Sequence, residues 1–206
     1  FEEKNGVRAS VSFGSTGLLA KQIENGAPFD VFFAADTTYI DTLERGGYVV
    51  PETVFLYAEG AISVALNEDL GLSVSGLEDL LNERVGVVAI ANPAHAPYGK
   101  AALEALQAKG ILEKIKEKLV YGENIRQVLQ FIETGNAQGG IIATSLASSH
   151  KIISSPVERA LHRPIYQAAA AIAASKNIEL AEEFLDYVKG PDGRAVLKKY
   201  GFLVPE

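Results

Sequence analysis

Three segments of the sequence place small, hydroxyl-bearing and helix-capping residues where a buried strand gives way to a helix. They are Ser12 to Gly17, Asn92 to Gly99 and Gly122 to Ile125. The first N–H groups of a helix have no partner within the helix, and the helix dipole places positive charge at the same end. Because parallel strands bring such helix starts to one edge of a sheet, we expect the three segments to lie together and to bind a small anion.

The donors that these segments offer are neutral. Ser15 and Thr16 supply hydroxyls between two glycines that let the main chain approach a bound group closely, and no Lys or Arg lies within the three segments. The same residue types serve as ordinary caps and turn residues in any α/β protein, so a purely structural role stays open at each single turn. Taken together, they favour an anion site built from hydroxyl and backbone N–H groups.

The signatures of common catalytic sites are missing. Gly14 to Gly17 lacks the Gly-x-Ser-x-Gly spacing of a nucleophile elbow, Lys100 has no P-loop glycine upstream, and no Gly-x-Gly-x-x-Gly occurs. We interpret His95 as a loop histidine bonded to its own backbone, and Asp36 as a helix cap. A binding protein is therefore favoured over an enzyme, and no catalytic residue is assigned.

The elements that must position these segments alternate between strand and helix. Strands are predicted over Val7–Phe13, Asp30–Ala35, Tyr57–Leu66, Arg84–Ile90, Leu119–Tyr121, Gly140–Ala143 and Gln167–Ala174. Helices are predicted between them, among them Leu18–Glu24, Lys100–Ala108, Ile125–Glu133 and Ile178–Lys189. This alternation predicts an α/β fold with parallel sheets that are covered on both faces.

Composition excludes several classes of partner. The 206 residues carry 19 basic and 26 acidic side chains, a formal net charge of −7, which is the wrong sign for binding nucleic acid or an anionic membrane surface. Without cysteine there is no disulfide and no thiolate ligand, and the three histidines are not spaced like paired zinc ligands. We expect no cofactor.

Long stretches of the chain resemble the substrate-binding proteins of molybdate ABC transporters. The resemblance is carried by the ungapped run SFGSTGLLAKQIENGAP from Ser12 to Pro28 with the DVF and AAD that follow, by NPAHAPYG from Asn92 to Gly99, and by DYVKGP from Asp186 with the later YGF. It extends over nearly the whole sequence. It implies a type II periplasmic-binding-protein fold, in which two α/β lobes hold an oxyanion in the cleft between them.

The resemblance also implies how the lobes are divided. Lobe 1 comprises residues 1–60 and 168–206, lobe 2 comprises residues 61–167, and the crossover strands lie near Ala58 to Ala65 and Gln167 to Ala174. In the family, a strand, a loop that gives one hydroxyl to the oxyanion, and a helix precede the position that Phe1 occupies. We therefore expect lobe 1 to lack its opening strand and the natural protein to be longer.

The family's oxyanion ligands fall on four residues of this chain. The hydroxyl ligand of the first motif corresponds to Thr16, with Ser15 beside it, and the two backbone donors correspond to Tyr98 and Ile125. The metal, molybdenum or tungsten, is then held only as its oxyanion through these same residues. The family's tyrosine ligand has Ala143 in its place, so that contact is lost or another donor, such as the Tyr98 hydroxyl, supplies it.

The function that the resemblance implies is capture of molybdate or tungstate and delivery to the membrane permease of an ABC transporter. It implies a protein of the periplasm, or an extracellular protein anchored by lipid, that acts as a monomer when full length and does not bind nucleic acid. The alternative is the ligand-sensing domain of a transcription regulator with the same fold. A small hydrolase or transferase is a third hypothesis, weakened by the missing nucleophile and base.

Overall fold

The computed structural model describes residues 1–205, which form two β-sheets with helices packed around them. The strands in chain order are β1 (Val31–Ala34), β2 (Phe55–Gly60), β3 (Ile62–Asn67), β4 (Val88–Ala91), β5 (Leu119–Gly122), β6 (Gly139–Ala143), β7 (Ile152–Pro156) and β8 (Ile165–Ala171). The α-helices are α1 (Glu2–Asn5), α2 (Thr16–Glu24), α3 (Thr37–Arg45), α4 (Pro97–Ala108), α5 (Leu112–Ile115), α6 (Ile125–Glu133), α7 (Ile178–Lys189) and α8 (Pro191–Lys199).

The two sheets differ in strand direction. The smaller sheet has the order β1-β8-β2, and both of its pairings are antiparallel. The larger sheet has the order β5-β4-β6-β3-β7, in which β4 runs parallel to β5 and β6, whereas β3 runs antiparallel to β6 and β7. The prediction of parallel sheets therefore holds for β4 with β5 and β6 and is wrong for the other pairs. In the smaller sheet β8 runs against both of its neighbours, and in the larger sheet β3 runs against both β6 and β7.

Each face of the larger sheet is covered by a helix. Along β3, Val64 and Leu66 pack in the cluster that includes Leu106 of α4, whereas Ala65 packs in the cluster with Val128 and Ile132 of α6. Successive strand residues point to opposite faces, so a strand buried on both sides is mostly apolar. All six residues of β3 are buried.

The smaller sheet is covered in the same way. Ala168 and Ala170 of β8 lie in the cluster with Ile40 and Leu43 of α3, and the alternate alanines Ala169 and Ala171 lie in the cluster with Leu185 of α7. The short alanine side chains let helices approach both faces of this strand closely. The prediction that helices cover both faces of the sheets is confirmed.

Two segments differ from the predicted strands. Val7–Phe13 forms no strand: the side chains of Val11 and Phe13 are 69% and 65% exposed, and no strand among residues 1–205 pairs with this segment. Its alternating pattern is compatible with a strand, but a strand forms only beside an edge that accepts its hydrogen bonds. Conversely, β7 was not predicted, because Ser154 and Ser155 interrupt its apolar pattern at the edge of the larger sheet.

Candidate functional site

The start of α2 carries two buried hydroxyls that do not cap their own helix. Ser15 is the N-cap residue and is 4% exposed, yet its side chain accepts no hydrogen bond from the first turn of α2. Thr16, the first helical residue, is 6% exposed, and its Oγ1 accepts the N–H of Ala35 at 3.1 Å. A hydroxyl that accepts one hydrogen bond keeps its own proton for another partner. Thr16 can therefore still donate.

The start of α4 presents one backbone donor. Pro97 occupies the first helical position and has no N–H, and the N–H groups of Gly99 and Lys100 both bond to the carbonyl of Ala96, at 2.9 and 3.2 Å. The N–H of Tyr98, which directly follows Pro97, has no acceptor among the described residues. Gly99 lets this helix start lie against β4, since a Cβ there would come within 2.1 Å of the Ala91 carbonyl oxygen.

The start of α6 follows the same plan. The Asn124 side chain caps the helix by accepting the N–H groups of Arg126 and Gln127, each at 3.0 Å. Ile125, the first helical residue, keeps an N–H without an acceptor in the part of the chain that the structure describes. The cap therefore uses the neighbouring N–H groups and leaves the Ile125 donor free.

Hydrogen bonds and one cation–π contact bring the three helix starts together. The Asn92 N–H donates to the Gly122 carbonyl at 2.8 Å, which joins the segments that follow β4 and β5. Across to α2, Nδ1 of His95 lies 2.7 Å from Ser15 Oγ, and the guanidinium carbon of Arg126 lies 3.9 Å from the ring centre of Phe13. The predicted juxtaposition of the three segments is thus confirmed, whereas the interpretation of His95 as bonded only within its own loop is wrong.

The Tyr98 side chain points into a buried polar chain beside the crossover strands. Tyr57 donates its phenolic proton to Gln167 Oε1 at 2.5 Å, and Gln167 Nε2 donates to the Tyr98 hydroxyl at 2.6 Å. Burial raises the pKa of Tyr98 to about 12, partly offset by the Gln167 bond, and burial raises the pKa of Tyr57 as well. Both phenols therefore stay protonated at neutral pH. Since Tyr98 accepts from Gln167, its own proton remains available.

Ala143, at the end of β6, brings no polar side-chain group to the site. It is 2% exposed, and its methyl group belongs to the apolar core of the larger sheet. The next residue, Thr144, has its Oγ1 2.9 Å from Ser63 Oγ. Ala143 itself therefore offers only packing, and the Tyr98 hydroxyl, which keeps its proton, is one candidate for a side-chain donor in its place.

Two charged groups that flank the site, Asp36 and Lys100, are paired with each other. Asp36 caps α3 by accepting the Thr38 N–H at 3.0 Å, as predicted, and its other carboxylate oxygen lies 3.5 Å from Lys100 Nζ. Lys100 also lies over the ring of Tyr39, 5.6 Å from its centre. The unpartnered donors described above, the Thr16 hydroxyl and the Tyr98 and Ile125 N–H groups, are neutral, so an anion held by them meets hydroxyl and amide protons.

Residues 1–205 contain neither a metal-binding cluster of His, Cys, Asp and Glu side chains nor a membrane-spanning helix. No group of three or more His, Cys, Asp or Glu side chains is arranged to hold a metal ion there. None of the helices that the structure describes has the length and apolar character needed to span a membrane.

Comparison with known proteins gives a consistent assignment. The family model described as bacterial extracellular solute-binding protein matches residues 1–203. The molybdate-binding protein ModA of Azotobacter vinelandii is 38% identical over 206 residues, a match that covers 98% of this chain and 81% of that protein. ModA of Rhodobacter capsulatus is 35% identical over 204 residues, covering 98% of this chain and 80% of the relative.

Solved structures agree with the sequence comparisons. The structure of the periplasmic molybdate-binding protein of Azotobacter vinelandii superimposes with a TM-score of 0.88 at 29% identity, covering all of this chain and 91% of that one. The chain therefore has the predicted type II periplasmic-binding-protein fold, and the resemblance found in its motifs is confirmed.

Proposed function

The chain belongs to the family of bacterial extracellular solute-binding proteins, and from this premise we propose that it captures molybdate or tungstate and delivers the oxyanion to the membrane permease of an ABC transporter. Its site is the meeting point of the starts of α2, α4 and α6. The candidate ligands are the hydroxyls of Ser15 and Thr16 and the N–H groups of Tyr98 and Ile125.

The observation that supports this proposal most is that the candidate ligand residues offer hydrogen-bond donors and no carboxylate. Thr16 keeps its hydroxyl proton, the Tyr98 and Ile125 N–H groups are free, and the nearby Asp36 carboxylate is engaged by Lys100 and by the cap of α3. Molybdate and tungstate are fully deprotonated dianions at neutral pH and need only donors. Phosphate keeps a proton that requires an acceptor, so this donor set disfavours it.

Size separates molybdate and tungstate from sulfate. Sulfate is also a dianion, but its oxygens lie closer together, so it cannot reach every donor of a shell that fits the larger anions. A buried donor left without a partner costs about 1 to 3 kcal/mol, which corresponds to about 5- to 150-fold in affinity for each missed contact. The donors are held by backbone and by caps such as Asn124, which limits their ability to close around a smaller anion.

The family membership supports the remaining parts of the proposal. We place the protein in the periplasm, or outside the cell on a lipid anchor, as a monomer that binds neither cofactor nor nucleic acid. The lobes are taken as residues 1–60 with 168–206 and residues 61–167. The relatives named above are molybdate-binding proteins, and nothing in them favours the transcription-regulator alternative.

Calorimetric titration with molybdate, tungstate, sulfate and phosphate tests the proposal. We expect molybdate and tungstate to bind at least 100-fold more tightly than either other anion, because each missed or unpaired contact costs about 1 to 3 kcal/mol. Equal affinity for sulfate would contradict the size argument. Tight phosphate binding would mean that the site contains an acceptor.

A further inference from the structure

The fold has two sheet units, the smaller sheet with its helices and the larger sheet with its helices. His95 joins these two sheet units through both its side chain and its backbone. Ser15 and Gly17 belong to the start of α2 on the smaller sheet, whereas His95 lies between β4 and α4 of the larger sheet. His95 Nδ1 lies 2.7 Å from Ser15 Oγ, and the His95 carbonyl accepts the Gly17 N–H at 3.0 Å. A Cβ at Gly17 would lie 2.9 Å from that carbonyl oxygen and 2.8 Å from the Tyr39 hydroxyl, so this close approach requires glycine.

The backbone bond restricts which donors of α2 can reach an anion. Because the Gly17 N–H is directed at the His95 carbonyl, it is not available to a ligand in the cleft. The Ser15 and Thr16 hydroxyls are the side-chain donors of this turn, beside the Thr16 N–H, which has no acceptor among the described residues. The Thr16 hydroxyl is already oriented, since Ala35 donates to it and leaves its proton free.

The Ser15 hydroxyl has two possible orientations, and His95 decides between them. If Ser15 donates to an unprotonated Nδ1, its only proton is spent on the imidazole. If Nδ1 carries the hydrogen and donates to Ser15 Oγ, the serine proton is free to point at a ligand. Only the second arrangement makes Ser15 a donor equivalent to Thr16.

We propose that His95 is a positioning residue for oxyanion binding, whose Nδ1–H donates to Ser15 Oγ and so directs the Ser15 proton at the bound anion. This inference rests on the proposed function and adds a residue to its site. Since Ser15 and His95 stand on different sheet units, the serine is oriented only when the units lie together. The contact therefore couples anion binding to the approach of the two units.

The charged groups around this contact do not account for the same effect. Asp36 and Lys100 pair with each other at 3.5 Å, and Lys100 contacts the ring of Tyr39. Because Asp36 and Lys100 neutralise each other, their charges do not orient the Ser15 hydroxyl. The contribution of His95 therefore lies in the direction of its hydrogen bond to Ser15. A side chain that keeps the donor without the imidazole should therefore replace it.

Five variants, among them Ser15→Ala and its double variant with His95→Leu, test this prediction by calorimetric titration with molybdate. His95→Leu removes the donor, and we expect about tenfold weaker binding; His95→Asn places an amide nitrogen at the same distance along the side chain, and we expect it to stay within about threefold of wild type. In a Ser15→Ala background, His95→Leu should cost less than about threefold more, because the two residues act through one bond. His150→Leu, at an exposed histidine, is the matched control and should bind like wild type.

The variants are read against one another and against thermal unfolding, which reports any loss of fold. Equal weakening by His95→Leu and His95→Asn would overturn the proposal, as would full additivity of Ser15→Ala and His95→Leu. Failure of the wild-type chain to bind molybdate would instead refute the proposed function.

Side-chain ¹⁵N NMR tests the orientation without any binding measurement. With only three histidines in the chain, the His95 signals are assigned by comparison with His95→Leu. We expect hydrogen on Nδ1 of His95. An unprotonated Nδ1 in the folded protein would overturn the inference, whether or not molybdate binds.

Discussion

Replacing Thr16 by valine removes a hydroxyl while keeping the branched shape of the side chain. The proton of that hydroxyl is the candidate donor to the oxyanion, and its oxygen accepts the Ala35 N–H at 3.1 Å. Loss of a hydrogen bond to a charged group costs about 1.5 to 3 kcal/mol, so molybdate should bind about 10- to 150-fold more weakly. Calorimetric titration at fixed ionic strength measures this change.

The same substitution has a second effect on the free energy of unfolding. Valine leaves the Ala35 N–H without its acceptor beside a side chain that is only 6% exposed, and an unsatisfied buried donor costs about 1 to 3 kcal/mol. Urea unfolding of the ligand-free protein measures this part separately. Thr16→Ser is the matched control, because it keeps the hydroxyl and should restore most of both losses. Valine binding within twofold of wild type would show that Thr16 is not a ligand.

Three further predictions concern the neighbours of the site and one ion pair. Tyr98→Phe should weaken molybdate binding about tenfold in calorimetry, because it removes the phenolic proton that the hydrogen bond from Gln167 leaves free. An unchanged Kd would leave the Tyr98 backbone N–H as the donor of this residue. Asn124→Asp should keep the cap of α6, and hence the midpoint of urea unfolding, but its negative charge should weaken molybdate binding. Binding as tight as that of the wild type would place the anion away from this helix start. Burial raises the pKa of Glu104, but hydrogen bonds from Arg163 outweigh burial and lower this pKa below its ordinary value of 4.5. Glu104→Gln should therefore unfold more easily than wild type at pH 7, and the difference in stability should disappear as the pH falls below 4.5 and through the lowered pKa of Glu104. A difference that does not depend on pH would contradict this.

Local chemistry made much of the fold and part of the site predictable. Small and capping residues predict the starts of α2, α4 and α6, and the hydrogen-bonding rules of any helix start predict free N–H groups there. The family resemblance supplied the particular residues, Tyr98 and Ile125. Coverage of both sheet faces follows in the same way from strands that are apolar throughout, such as β4. These features depend on a few consecutive residues.

Features that depend on distant partners were not predictable. Val7–Phe13 has the alternation of a strand but no adjacent edge among the described residues, and the direction of β8 is set by which sheet it enters after β7. The contact of His95 with Ser15 joins residues 80 positions apart on different sheet units. Its only signal in the sequence was the position of His95 in a candidate ligand segment.

Anomalous X-ray diffraction at the molybdenum absorption edge, from crystals grown with molybdate, tests the central claim most directly. We predict a single strong peak per chain at the meeting point of the starts of α2, α4 and α6. The oxyanion around it should lie within hydrogen-bonding distance of the Thr16 hydroxyl and of the Tyr98 and Ile125 N–H groups. A peak elsewhere in the fold, or one whose oxygens are held mainly by Lys or Arg side chains, would contradict a site built from neutral donors.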